Sequence, residues 1–79
     1  MLLKANKRSF DEAQRIAIYR KYNGICQMCL AEKGNEEESK VSWTEYQADH
    51  ILPYVKGGDT KEENAQLLCR YHNAQKGGK

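Results

Sequence analysis

Apolar positions along the chain recur first at helical spacing: Phe10, Ala13, Ile16, Ala17 and then Tyr19 or Arg20 fall on successive turns of one face. Ser9-Phe10-Asp11-Glu12 reads as a capping box, with Ser9 as N-cap and Glu12 reaching back to it. Asn23-Gly24 supplies a left-handed stop, so a helix is predicted over 9–22. Ile25-Cys26-Gln27-Met28-Cys29 follows as a tight turn with two thiols, then a polar loop over 31–40 with room for a short helical turn. Val41-Ser42-Trp43 through Ala48 has strand composition, with Val41 and Trp43 on one face. Trp43 and Tyr46 have rings that can stack on a base, but in so small a domain they are expected in the core.

The strand-like setting continues through Asp49 and His50 to Pro53, which stops it, and Lys56-Gly57-Gly58-Asp59 signals a turn. Thr60-Lys61-Glu62-Glu63 reads as a second capping box, opening one helical turn that ends at Asn64. Gln66-Leu67-Leu68-Cys69 predicts a short strand, and from about Arg70 a last helix frays at Gly77-Gly78. The predicted order is helix, thiol turn, loop, strand, long loop, strand, helix. That is an α+β arrangement in a single domain over 1–79.

Size then sharpens the picture. A 79-residue chain buries only about 60% of its unfolded surface and is marginal unless stapled. Apolar content of 39%, charged content of 30% and a mean hydropathy of −0.92 leave a thin core. Three cysteines cannot form a complete disulfide set. Met1-Leu2-Leu3 is followed at once by Lys4, Asn6, Lys7 and Arg8, with no apolar signal-peptide region. No run approaches the ~20 apolar residues that span a membrane. The expectation is a cytoplasmic protein with reduced cysteines that act as metal ligands.

Net charge of +2 and a pI near 8.4 permit nucleic-acid binding without requiring it. Lys4, Lys7, Arg8, Arg15, Arg20 and Lys21 make the first quarter basic, and Arg70, Lys76 and Lys79 do the same for the tail. The run Glu36-Glu37-Glu38 would repel a polyanion and is expected to face away from one. Most of these charges have an ordinary alternative as solvated surface.

Two constellations carry chemistry. Cys26-x-x-Cys29 and Cys69-x-x-His72 are each spaced to chelate from one turn, and together they offer the tetrahedral sulfur-and-imidazole set of a closed, structural zinc site. Zinc would supply the folding energy that the core lacks, roughly 10–16 kcal/mol in zinc-finger peptides. The alternative is three buried cysteines and a surface histidine. The second constellation is Asp49, His50, Asn64 and Asn73. Neighbours on a strand point to opposite faces, so Asp49 and His50 cannot both be core. The oxygens of Asp49 and Asn73 suit Mg²⁺ or Mn²⁺, and His50 can take a proton from water near neutral pH. That is the minimum kit for phosphodiester hydrolysis.

Ala48-Asp49-His50-Ile51-x-Pro53, Gly57-Gly58, Asn64, Leu67-Leu68-Cys69 and His72-Asn73-x-x-Lys76 together resemble the HNH endonuclease family, with its ββα-metal fold. The resemblance covers Cys26 to Lys76 and leaves the N-terminal helix as an addition. It implies a divalent-metal-dependent DNA endonuclease in which His50 is the general base and Asp49 binds the catalytic metal. Asn64 would hold the loop and orient His50. Many family members end in Cys-x-x-Cys-His, whereas here the run is Cys69-x-x-His72-Asn73. With Lys76 held in register, the chain resembles the HNN variant: His72 completes the zinc site and Asn73 joins the catalytic metal. The other assignment puts His72 on the catalytic metal and leaves zinc with three thiolates; both cannot hold.

Lys56, Arg70 and Lys76 are candidate phosphate contacts. One such site would nick one strand of duplex DNA, acting as a monomer or weak dimer, with a larger nuclease system as a further setting. A competing class is a zinc-ribbon module that holds nucleic acid or protein without chemistry. It has no reason to carry the set Asp49, His50 and Asn73.

Overall fold

The structure, a computed structural model, describes residues 7–77; Lys4 and Lys79, counted above among the basic residues, lie outside them. The first helix, α1, is Glu12–Lys21 and begins two residues later than the capping pattern predicts. Its N-cap is Asp11, not Ser9. The Gln14 amide donates to Asp11 Oδ1 at 2.8 Å, and the Asp11 amide donates to Gln14 Oε1 at 2.9 Å. This box, displaced by two residues, leaves Phe10 in the extended approach to the helix, from which its ring reaches the core.

The buried face of α1 keeps Tyr19 of the predicted stripe and otherwise differs from it. Ile18 is fully buried, with Tyr19 and Tyr22 packed beside it, whereas Ile16 is 39% exposed and Ala13 lies on the surface. The tyrosines explain the shift. Their rings fill the core while their hydroxyls donate to main-chain carbonyls: Tyr19 to Val41 at 2.6 Å, Tyr22 to Ala65 at 2.8 Å and Tyr46 to Arg15 at 2.9 Å. Asn23 and Gly24 both take positive φ and end the helix as expected. A Cβ on Gly24 would stand 2.8 Å from the Tyr19 hydroxyl.

The thiol turn is the start of a second helix, α2 (Gln27–Lys33), with Cys26 as N-cap and left-handed Gly34 as its stop. The polar stretch read as a loop is therefore helical to Lys33, with a separate 3-10 turn at Glu37–Ser39. The first strand is shorter and later than predicted. Backbone bonds from Glu45 and Tyr46 to the Ser42 carbonyl fold 42–46 into a turn, and β1 is Gln47–His50. Tyr46 is buried, but Trp43 stays 37% exposed at the edge of the Tyr19 and Tyr46 rings.

The second strand, β2 (Ala65–Leu68), pairs antiparallel with β1 in the register Gln47↔Leu68 to His50↔Ala65. Between them lie 3-10 turns at Tyr54–Lys56 and Glu62–Asn64. The second capping box does not form: Lys61 is the N-cap and makes no side-chain capping bond, and the Thr60 hydroxyl is turned inward to His50. The last helix, α3 (Arg70–Gly77), follows β2 directly. The result is α+β: three helices, a two-stranded sheet, and a core of Phe10, Ile18, Tyr46, Ala65 and Leu67. Among the described residues no helix is long and apolar enough to cross a membrane.

Candidate functional site: a thiol–imidazole cluster and an adjoining groove

Two helix N-termini converge on one point. Cys26 is the N-cap of α2 and its sulfur accepts the Cys29 amide at 3.4 Å; Cys69 precedes α3 and accepts the His72 amide at the same 3.4 Å. Each pair is thus bent by the first turn of its helix. Burial works against charge on the Cys26 thiol, but the backbone amides bonded to its sulfur outweigh this and lower its pKa. His72 Nδ1 lies 3.7, 3.5 and 3.3 Å from the sulfurs of Cys26, Cys29 and Cys69.

Cys29 and Cys69 sulfurs are 3.8 Å apart, and all four donor atoms lie within 4.8 Å of one another. A tetrahedron with zinc–sulfur bonds of about 2.3 Å has edges of about 3.8 Å, so this donor set fits zinc. The geometry places His72 with the thiols, as the first of the two assignments requires.

His72 Nε2 lies 3.0 Å from Glu32 Oε2, and a carboxylate can only accept, so Nε2 carries the proton and Nδ1 presents its lone pair inward. Glu32 was not singled out from the sequence. The available signal was its place three residues after Cys29, one turn on within the same helix. Without a cation, burial and the neighbouring Cys26 and Cys69 thiols push the Cys29 thiol up to about 12. Burial works against charge on His72, but its bonds to Glu32 and Cys69 outweigh this and raise its pKa. A dication would reverse the balance for the thiols, stabilising three thiolates that repel one another when alone.

A separate groove of about 750 Å³ is lined by Asp49, His50, Arg8, Arg15, Lys56 and Lys76, among others. The Lys76 ammonium donates to Asp49 Oδ2 at 2.8 Å and to the His50 carbonyl at 2.9 Å, while Gln66 donates to the same Asp49 oxygen at 3.0 Å. The second Asp49 oxygen has no hydrogen-bond partner among the described residues. His50 Nε2 lies 2.9 Å from the Thr60 hydroxyl. Its ring packs on Phe10 at 4.6 Å and edge-on to Tyr54 at 5.9 Å. Nδ1 has no partner among the described residues. Burial lowers the His50 pKa, with Lys76 and Arg8 helping and Asp49 opposing.

Asn64 holds the loop between the strands: Oδ1 accepts the Leu52 amide at 2.9 Å, and Nδ2 donates to the carbonyls of Leu52 at 3.0 Å and Asp59 at 2.9 Å. Gly58 is required beside it, since a Cβ there would overlap the Leu52 carbonyl oxygen. The Asn64 side-chain bonds go to Leu52 and Asp59, and the hydrogen bond to the His50 ring belongs to Thr60, expected from the sequence as a cap.

Asn73 is half-buried on α3 three residues before Lys76, and it does not line the groove. Arg70 is exposed at the start of α3 and is also outside it. Arg8 and Arg15 are inside it, stacked on Tyr54 (5.3 Å) and on Trp43 and Tyr46 (4.9 and 4.4 Å), and neither has an ion-pair partner among the described residues. Their signal was the basic first quarter of the chain.

Comparison with curated proteins and with solved structures gives no match. A family model for HNH endonuclease matches residues 26–79, which contain all four cluster residues and the Asp49–His50 pair. With more than half its length matched, the chain belongs to the HNH endonuclease family, whose activity is that of a nuclease.

Proposed function

We propose that this chain is a divalent-metal-dependent DNA endonuclease that hydrolyses a phosphodiester in the groove beside His50. The observation that carries this reading is the pairing of two open atoms, His50 Nδ1 and one oxygen of Asp49, in a groove with four cations. Cys26, Cys29, Cys69 and His72 would hold a structural zinc. Asp49, joined by Asn73 from the α3 face that also carries Lys76, would hold Mg²⁺ or Mn²⁺. That ion supplies neutralisation of charge on the phosphate and the leaving oxygen when bound.

The chain's own groups do the rest. Arg8, Lys56 and Lys76 draw in the phosphate backbone, with Arg70 as an outlying contact. His50 Nδ1 takes a proton from the attacking water. Asn64 keeps the loop that carries Lys56 closed on the strand. One groove per chain cuts one strand, so the isolated domain nicks duplex DNA.

The test is conversion of supercoiled plasmid to the open circle with Mg²⁺ or Mn²⁺. His50→Ala should slow cutting by about 10²–10⁴-fold. Equal rates for His50→Ala and the parent would remove the general base. DNA binding with no cutting under any divalent ion would favour a zinc-ribbon binding module instead.

A further inference from the structure

The part of the chain outside the family match reaches the imidazole through a bonded chain. The Gln14 side-chain amide donates to the Thr60 carbonyl at 2.9 Å, and the Thr60 hydroxyl meets His50 Nε2 at 2.9 Å. Gln14 is itself fixed at both ends of its capping box with Asp11. Phe10, from the same segment, covers the His50 ring at 4.6 Å. Thr60 is 7% exposed, so its hydroxyl has little access to competing water.

We infer that Thr60 is a positioning residue for His50: held by Gln14 of α1, its hydroxyl accepts the Nε2 proton and so leaves the Nδ1 lone pair facing the groove. This rests on the reading of His50 as base. The physical argument is one of satisfaction. A neutral imidazole carries its proton on one nitrogen only. With Thr60 as acceptor, the Nε2–H tautomer keeps its buried N–H bonded. With no acceptor there, the N–H is left unpaired, and the ring gains by moving the proton to Nδ1, where groove water can take it. That is the wrong tautomer for a base at Nδ1. The backbone bond from Gln14 matters because it sets where the Thr60 hydroxyl stands, and Phe10 removes the freedom of the ring to swing away.

The test uses the full zinc-loaded chain with no added Mg²⁺ or Mn²⁺, at a pH well above the ordinary histidine value of about 6.5. Ring ¹⁵N shifts of His50 report the tautomer. The parent and Thr60→Ser should show Nε2–H. Thr60→Val should move the population toward Nδ1–H and, with Mg²⁺ supplied, lower kcat by about tenfold or more at unchanged KM. Gln14→Ala should lower kcat in the same direction by less. Zinc content and amide dispersion equal to the parent show that the variants are folded, and Thr60→Ser recovers both readouts if the hydroxyl is what matters.

Nδ1–H in the parent, or ring shifts and kcat in Thr60→Val that match the parent, would overturn the inference. Gln14→Ala with parental kcat would remove α1 from it. Full activity in His50→Ala is a different failure: it defeats the base reading while the tautomer measurement still stands.

Discussion

Lys76 bonds to two successive residues of β1 at once, the Asp49 carboxylate at 2.8 Å and the His50 main-chain carbonyl at 2.9 Å. One ammonium near the end of α3 therefore fastens that helix to the strand bearing both groove-lining groups. Lys76→Met leaves the Asp49 carboxylate, 12% exposed, with Gln66 as its single remaining donor among the described residues. The expected loss is about 1–3 kcal/mol, read by urea denaturation of the zinc-loaded protein. An unchanged midpoint would mean that the pair contributes no net stability.

The placement of His72 among the thiols separates it from its neighbour. His72→Ala should bring zinc content well below one per chain and lose helix by circular dichroism. Asn73→Ala should keep the zinc and cut poorly. Elemental analysis beside the plasmid assay distinguishes them, and zinc loss in Asn73→Ala would reverse the assignment.

Arg8 and Lys56 line the groove from opposite segments and have no ion-pair partner among the described residues. Each change to Gln should weaken binding to duplex DNA and lower the slope of log affinity against log salt by about 0.9. Arg70→Gln, outside the groove, should change the slope less. Fluorescence anisotropy over a salt series measures all three. Equal effects would place the DNA path across the start of α3.

Burial holds His50 below its ordinary 6.5, aided by Lys76 and Arg8 and opposed by Asp49. A base acts in its neutral form, so cutting should hold through neutral pH and fall only below about 6.5. The folding linkage has a defined sign. As pH drops through that value the unfolded chain takes up the proton first, so folded stability declines in the window beneath it. Lys76→Met removes a cation that depresses the value and should move the acid limb of the rate profile upward. An acid limb of the parent above 6.5 would contradict the burial.

The residues of the thiol cluster were legible from spacing, because ligands separated by two residues must share a turn; the α+β class came from the apolar pattern and the family from its resemblance in the Asp49–His50 and Cys69–Lys76 motifs. The start of α1 was not. Ser9-x-x-Glu12 and Asp11-x-x-Gln14 are both capping patterns, and only the burial of Phe10 decides between them. On the core-facing side of α1 the pattern caught Tyr19 but missed Ile18 and Tyr22; Tyr22 counts as polar until its hydroxyl finds the Ala65 carbonyl. Helix α2 was hidden because Cys26 caps it with sulfur, a residue outside the usual N-cap set. Thr60 and Glu32 act across 10 and 40 residues of sequence, and no local pattern records such pairings.

The helix that begins beside Cys69 and His72 carries Lys76 only four residues beyond the histidine, about 6 Å along its axis. Whatever seats the first turn of that rod also aims its far end. If the sulfur cluster holds zinc and the groove a catalytic ion, a chelator selective for zinc should therefore silence cutting even in abundant magnesium, and refilling zinc should revive it: the two sites would be chemically separate yet mechanically in series.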